Sequence, residues 1–299
     1  MPLPLYYFLS ITAVNVLMTW SLYLPYRVGQ LHFLSAAVMA ICGYGGAYMA
    51  LSLHLPAGLA ICAGFLLGLL LGAFVSLFTA EAPTFTVVIV GFAVISIAHT
   101  VVRNVPALGG TLGLFNLPYM GSGPAAHRWI ITGVLAAILL VTGWALRRFE
   151  RSRLGRAALV VFTDRTLAAS LGIDVRRLSM ALQASSTALA GASGVLYAFI
   201  YRSIGPDFFS FTLIGTYLTI LFVGGYSTPW GALIAAPLLY GVPTILPSAL
   251  ASWTIVIYGA LLMVVLVARP EGLVTRKLVV SIEMLRRARR AASIKKEEK

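Results

Sequence analysis

Nothing limits this chain more than its succession of apolar runs, each near the length a helix needs to cross a hydrocarbon core, about 20 residues. Nine such runs fall at about 5–25, 31–52, 57–79, 84–103, 129–147, 179–201, 209–226, 230–248 and 252–268. Inside a bilayer the backbone has no water to bond, so each run is expected to close its hydrogen bonds within a helix. The expected fold class is therefore all-α: a polytopic integral membrane helix bundle of about nine transmembrane helices, within bounds of eight to ten. Only 10% of residues are charged, against about a quarter in soluble domains. The formal net charge of +13 would suggest nucleic-acid binding in a soluble protein. Here the charge lies between and after apolar runs, which points to retention at a membrane face and to no nucleic-acid partner. The start, MPLPLYYFLS, has neither a basic segment nor a small-residue cleavage site, so the first run is expected to be a retained span. Cys42 and Cys62 both sit within apolar runs without metal-ligand spacing and are expected in the core.

One long polar stretch interrupts the pattern, Arg147 to Arg177. It carries eight of the 22 basic residues (Arg147, Arg148, Arg151, Arg153, Arg156, Arg165, Arg176, Arg177) beside three acids, Glu150, Asp164 and Asp174. Its second half predicts a short helix: Asp164 is a cap, Leu167, Ala168, Ala169 and Leu171 are helix formers, and Gly172 is placed to stop it. Placing this stretch on the cytoplasmic side follows the bias of basic residues toward that face. Alternation then puts Arg27 and the ten basic residues after position 268 on the same side, nineteen in all, with Arg103, Arg128 and Arg202 outside. The expected organisation is a single transmembrane domain over 1–273, with a loop at 147–178, and a basic cytoplasmic tail over 274–299. Leu278, Ile282 and Leu285 give that tail an amphipathic helical spacing. The C-terminus is expected inside and the N-terminus extracytoplasmic.

Small residues mark where helices meet. Gly64, Gly68 and Gly72 recur every fourth position in the third run, and Ala184/Ala188 with Ala190/Gly194 repeat that spacing in the sixth. Denser clusters, Gly43, Gly45 and Gly46 in the second run and Gly224 and Gly225 in the seventh, are expected to unwind near a pathway. Gly43, Tyr44, Gly46, Gly91, Gly224 and Gly225 form the candidate translocation path. Pro237 and Pro243 lie inside the eighth run and are expected to kink or break it. The Gly- and Pro-rich segment from Asn104 to Arg128 carries its own apolar residues and is expected to fold back on the bundle mouth.

The chemistry of an energy source is missing from the chain. No G-x-x-x-x-G-K-[S/T] loop occurs, so any ATP must be bound by another subunit. Ion coupling calls for ionisable groups within the membrane. Glu81 and Asp207 lie at span boundaries, and His32, His54 and His99 are scattered singly. An ion-gradient-driven secondary transporter or a channel stays as the alternative reading. No H-E-x-x-H or G-x-S-x-G motif and no pair of intramembrane acids points to an enzyme. Ser185, Ser186, Thr187 and Ser193 are expected to bond to helix backbone or neighbouring helices.

Gly155-Arg156-Ala157, Asp164 and Ala168-Ala169-Ser170-Leu171-Gly172-Ile173 together resemble the cytoplasmic signature of permease subunits of branched-chain amino acid ABC importers. Ala190 to Tyr197 is similar to that family's AGxAGxLY helix. Pro206 with Phe209-Ser210-Phe211, Val223-Gly224-Gly225 with Trp230-Gly231, and Arg269-Pro270 with Gly272-Leu273 follow in order over residues 147 to 273. The resemblance implies a cytoplasmic coupling helix between spans five and six that docks on an ATPase, with Gly155, Arg156, Asp164, Ala168, Ala169, Leu171, Gly172 and Ile173 as coupling residues. It further implies a bacterial inner-membrane location and a second permease subunit, as homodimer or heterodimer. Two cytoplasmic ATPase subunits that hold ATP and Mg, an extracytoplasmic solute-binding protein and membrane lipids complete the implied partners, with no cofactor on this chain. The substrate implied is a branched-chain amino acid, or a related small polar solute such as urea or a short amide. The chain departs from the pattern at Arg165 and Thr166, where family members tend to place an acid or amide, and at Tyr226 to Gly231.

Overall fold

The computed structural model describes residues 2–209, 211–245, 256, 259–260, 263–264, 267 and 272–274. They form ten α-helices: α1 (Leu3–Tyr26), α2 (Leu34–Ser52), α3 (Ala57–Thr79), α4 (Thr84–Asn104), α5 (Pro124–Arg151), α6 (Arg153–Thr163), α7 (Arg165–Ser170), α8 (Val175–Tyr201), α9 (Phe211–Gly224) and α10 (Gly231–Ile245). A two-residue ribbon pairs β1 (Leu114–Phe115) antiparallel with β2 (Ser203–Ile204). Among the described residues six helices, α1 to α5 and α8, are long and apolar enough to cross a membrane. They coincide with the first six apolar runs, so the protein is a multi-pass membrane helix bundle. The seventh and eighth runs give the shorter helices α9 and α10, and most of the ninth, with the tail, lies outside the described residues.

The chain forms two compact units, Met1–Leu218 and Thr219–Lys299. In the first, α8 is the central column and packs most extensively on α3, α2 and α1. Backbone contact explains how it fits among three neighbours. Gly64 and Gly191 press on each other's carbonyl, Gly68 presses on the Thr187 carbonyl, and Gly194 on that of Met39. A β-carbon at Gly68, Gly191 or Gly194 would collide with main chain that cannot rotate away, and one at Gly64 would collide with the Val195 side chain. Four hydroxyls of α8 bond as expected: Ser185, Thr187 and Ser193 donate to carbonyls three or four residues back, and Ser186 pairs with Ser35 of α2 at 2.8 Å.

α1, α5 and α8 fix two ends of this unit. The C-terminus of α1 meets α5, α6 and α7 at one end, here called the arginine-rich end; the ribbon and the start of α5 lie at the other, the ribbon end. Arg27 caps α1 at the first, while Arg103, Arg128 and Arg202 stand at the second. In the second unit, Gly224 and Gly231 touch across the turn that joins α9 to α10. Leu273 and Val274 donate to the carbonyls of Val223 and Gly224 at 2.9 and 3.0 Å.

Three local expectations are corrected. α2 runs unbroken through Gly43, Gly45 and Gly46, because Gly43 and Gly46 admit α8 closely instead of uncoiling. α10 continues as helix past Pro237 and Pro243, so of the expected kink or break the break does not occur, since each proline costs one backbone donor without ending the run. Cys62 is exposed, unlike Cys42, because it lies on the outward face of α3 whose inward face is its glycine row.

Candidate functional site

The arginine-rich end is assembled by two tight corners. Ser152 interrupts the helical path between α5 and α6 and serves both: its hydroxyl donates to the Phe149 carbonyl at 2.7 Å and accepts from the Gly155 amide at 3.2 Å. A β-carbon at Gly155 would collide with that same Phe149 carbonyl, so the corner demands glycine here. Arg156 reaches back to the Arg151 carbonyl, 3.1 Å. α6 was hidden within a segment that reads as arginine-rich loop, yet Gly155, Ala158 and Val161 are its buried residues and stand three apart. That spacing was the available signal.

α7 carries its own start and stop. The Asp164 carboxylate accepts from the Thr166 amide at 2.7 Å and the Leu167 amide at 3.1 Å, satisfying donors that the first helical turn leaves open. At the far end the Ile173 amide donates to the Ala168 carbonyl and the Gly172 amide to that of Ala169. This pair of bonds closes a helix through one left-handed residue, and Gly172 holds that conformation with φ +77°. Ala168 is fully buried under the helix, whereas Leu167, Ala169 and Leu171 are exposed.

Both short helices rest on the end of α1 and the α1–α2 connector that follows it. The Phe162 ring lies 5.7 Å from that of Tyr26, Arg165 donates to the Val28 carbonyl at 3.3 Å, and Tyr23 donates to Glu150 at 2.7 Å. Arg165, the residue that departs from the family pattern, thus contacts the body of this chain. Two residues beyond Val28, Gln30 is buried in a chain of side-chain bonds. Its amide group donates to the carbonyls of Thr79, Ala80 and Ala82 at 3.1 to 3.4 Å, and its oxygen accepts from Gln183 of α8 at 2.7 Å. Thr79 closes the network by donating to the Gln183 oxygen at 2.8 Å. One connector therefore touches α6 and α7 on one side and is bonded to α3 and α8 on the other. Gln183 carried no sequence signal, because a lone amide in an apolar helix has no period and its partners lie up to 153 positions away.

At the ribbon end the 104–128 segment does fold back on the bundle. Arg202, in the left-handed region at φ 54°, donates to the Leu117 carbonyl at 2.7 Å and to the Asn116 side chain at 2.8 Å. Its guanidinium lies 3.6 Å from the Tyr119 ring centroid, and the edge of that ring meets buried His127. The Met120 amide donates to His127 Nδ1 at 2.9 Å, so Nε2 carries the ring proton and donates to the Phe199 carbonyl, 3.1 Å away. Beside this clasp is an open cleft of about 420 Å³ between His54, Pro56, Tyr119, Met120, Ile130 and Phe199.

The candidate path residues stand at helix crossings. A β-carbon would lie 3.0 Å from the Gly194 carbonyl at Gly43, 2.7 Å from Val195 at Gly46, and 2.6 Å from the Leu34 amide at Gly91. Tyr44 is buried, Gly224 sits against Gly231, and Gly225 turns the chain with φ 110°. The structure brings Gly155, Arg156 and Asp164 to Ile173 together at the arginine-rich end and places the path residues elsewhere. Among the described residues no group of three His, Cys, Asp or Glu side chains is placed to hold a metal ion.

Residues 5–266 match the family described as branched-chain amino acid transport system / permease component. The chain is 28% identical over 159 residues, 53% of its own length and 36% of the relative's, to the high-affinity branched-chain amino acid transport system permease protein LivM of Escherichia coli (strain K12). It is 32% identical over 169 residues, 54% of each chain, to the permease protein LivH of the corresponding system of Salmonella typhimurium. LivH of Escherichia coli (strain K12) is 34% identical over 152 residues, 49% of each chain. The matched stretch thus spans about half, or less, of these curated relatives. No solved structure matches the chain.

Proposed function

Because this chain belongs to the branched-chain amino acid transport system / permease component family, we propose that it is the membrane-spanning subunit of an ATP-driven importer. It moves branched-chain amino acids or a related small polar solute across a bacterial inner membrane. Within that family the chain is a transporter subunit and not an enzyme. It pairs with a second permease subunit, takes solute from an extracytoplasmic binding protein, and is driven by two cytoplasmic ATPase subunits that bind ATP and Mg. The arginine-rich end and the C-terminus face the cytoplasm, and the N-terminus faces outward.

The observation that carries this reading is the construction of α7. A six-residue helix closed at both ends by its own residues, Asp164 and Gly172, keeps its shape when pushed. Its exposed Leu167 and Leu171, one turn apart, offer an apolar face to a partner. The push enters the α1–α2 connector through Phe162 and Arg165 and reaches α3 and α8 through Gln30 and Gln183. Displacing packed helices about a small number of contacts is a known route to alternating access. For the candidate path we assign Gly43, Gly46 and Gly91 an indirect role, setting the spacing of α2 against α8 and α4.

Copurification of this chain with an ATPase subunit, followed by solute uptake in proteoliposomes, tests the proposal. Uptake should require ATP inside the ATPase-facing compartment and should be lost with Gly172→Val, while membrane insertion stays intact. Uptake by this chain alone under an ion gradient, or uptake unchanged in both Gly172→Val and Asp164→Ala, overturns it.

A further inference from the structure

α5 has 28 residues and is therefore about 42 Å long at 1.5 Å per residue, more than the hydrocarbon core of about 30 Å. Arg147, Arg148 and Arg151 mark its last turns as the part that stands outside the hydrocarbon. Leu140, Trp144 and Arg148 follow at four-residue spacing, so they lie on one face, and Leu140 and Trp144 are 75% and 64% exposed. The Arg148 guanidinium is 5.7 Å from the centre of the Trp144 ring. Along two turns this face passes from aliphatic to aromatic to cationic, the order in which a lipid presents its acyl chain, glycerol region and phosphate.

Past the stripe, Arg153 and Arg156 of α6 are exposed, with Leu154 exposed between them. Residues 140–163 hold five arginines and one acid, Glu150, whose carboxylate accepts the Tyr23 hydroxyl bond. We propose that the α5–α6 corner binds an anionic phospholipid of the leaflet at the arginine-rich end. Arg148 and Arg153 hold the phosphate, Trp144 lies at the glycerol level, and one acyl chain runs along Leu140 and Val141. Charge complementarity selects the anionic headgroup, and the unbroken passage into the exposed apolar face of α5 selects a lipid over a protein. The proposal requires only that α5 spans the membrane and is independent of what the protein transports.

The full-length protein is reconstituted in phosphatidylcholine bilayers to which lipids with brominated acyl chains are added, either phosphatidylglycerol or phosphatidylcholine at equal mole fraction. The Trp144 contribution to fluorescence is the difference between wild type and Trp144→Phe, a change confined to an exposed surface. Brominated phosphatidylglycerol should quench that contribution with an apparent affinity at least about five-fold above brominated phosphatidylcholine, the effect of one basic residue at an anionic surface. In Arg148→Gln/Arg153→Gln the preference should fall below about two-fold, with quenching by phosphatidylcholine unchanged. Equal quenching of wild type by the two lipids overturns the proposal, as does quenching by neither, which would mean that protein covers the stripe. Native mass spectrometry of the wild type, which needs no variant, should find phosphatidylglycerol retained over phosphatidylcholine; equal retention counts against the site.

Discussion

At the ribbon end a single side chain, Arg202, binds the Leu117 carbonyl, the Asn116 side chain and the face of Tyr119, and His127 bonds both the loop and α8. At the arginine-rich end the one hydrogen bond that Arg165 gives the connector is 3.3 Å long, and the bonds that shape α7 lie within the 164–173 segment itself. The ribbon end is held by bonds between segments far apart in sequence. The α7 segment is held by bonds to itself, so it can shift against the connector without losing its form. Under the proposed function, a fixed clasp at the ribbon end and a self-contained helix at the arginine-rich end suit a machine driven from one side.

The sharpest way to break this contrast is at Arg202. Arg202→Ala should destabilise the protein by about 3 kcal/mol, since it removes two charge-assisted hydrogen bonds and a ring contact. Thermal unfolding in detergent measures the loss, and limited proteolysis should newly cleave within 104–123. Arg202→Gly, which relieves the left-handed backbone, should recover a small part of it. Gln183→Leu should come next, at about 2 kcal/mol, because it leaves the Gln30 and Thr79 groups buried with bonds unmade. If the connector transmits force, ATP-driven uptake should fall more than thermal stability implies.

Asp164→Ala should cost about 1 kcal/mol and only locally. Hydrogen exchange at the Thr166 and Leu167 amides should quicken several-fold, with the global melting temperature little changed, and Asp164→Asn should restore most of the protection. The smallest effect on stability belongs to Leu167→Ser with Leu171→Ser: within about 0.5 kcal/mol in thermal unfolding, because both side chains are already exposed. The same double variant should nonetheless lose ATPase copurification. Retained copurification would remove α7 as the docking element.

The six long helices and the limits of α7 were legible because each has a local signature: a run of apolar residues, or a cap and a stop. Asp164 and Gly172 could be read eight residues apart without knowing anything else about the fold. The glycine row of α3 was likewise visible as spacing, although its partner, α8, was not. What stayed hidden depends on pairing across long separations. Gln30 with Gln183 and Arg202 with Leu117 and Asn116 are single polar residues whose meaning comes from a distant partner. The path glycines show the opposite error, since a cluster of glycines reads equally well as an unwound segment or as a close helix crossing. In α2 the crossing prevailed, because Gly43 and Gly46 stand against Gly194 and Val195.

The contacts between Gly64 and Gly191, Gly68 and Thr187, and Gly194 and Met39 involve main chain on at least one side. A side-chain contact can absorb displacement by changing rotamer, but a main-chain contact has no such freedom. α2, α3 and α8 therefore resist sliding along one another and travel as one stiff beam. If α7 is the driven element, as proposed, its movement is expressed at the borders of that beam against α1 and α5, because α4 also meets α2 through main chain, at Gly91 and Leu34.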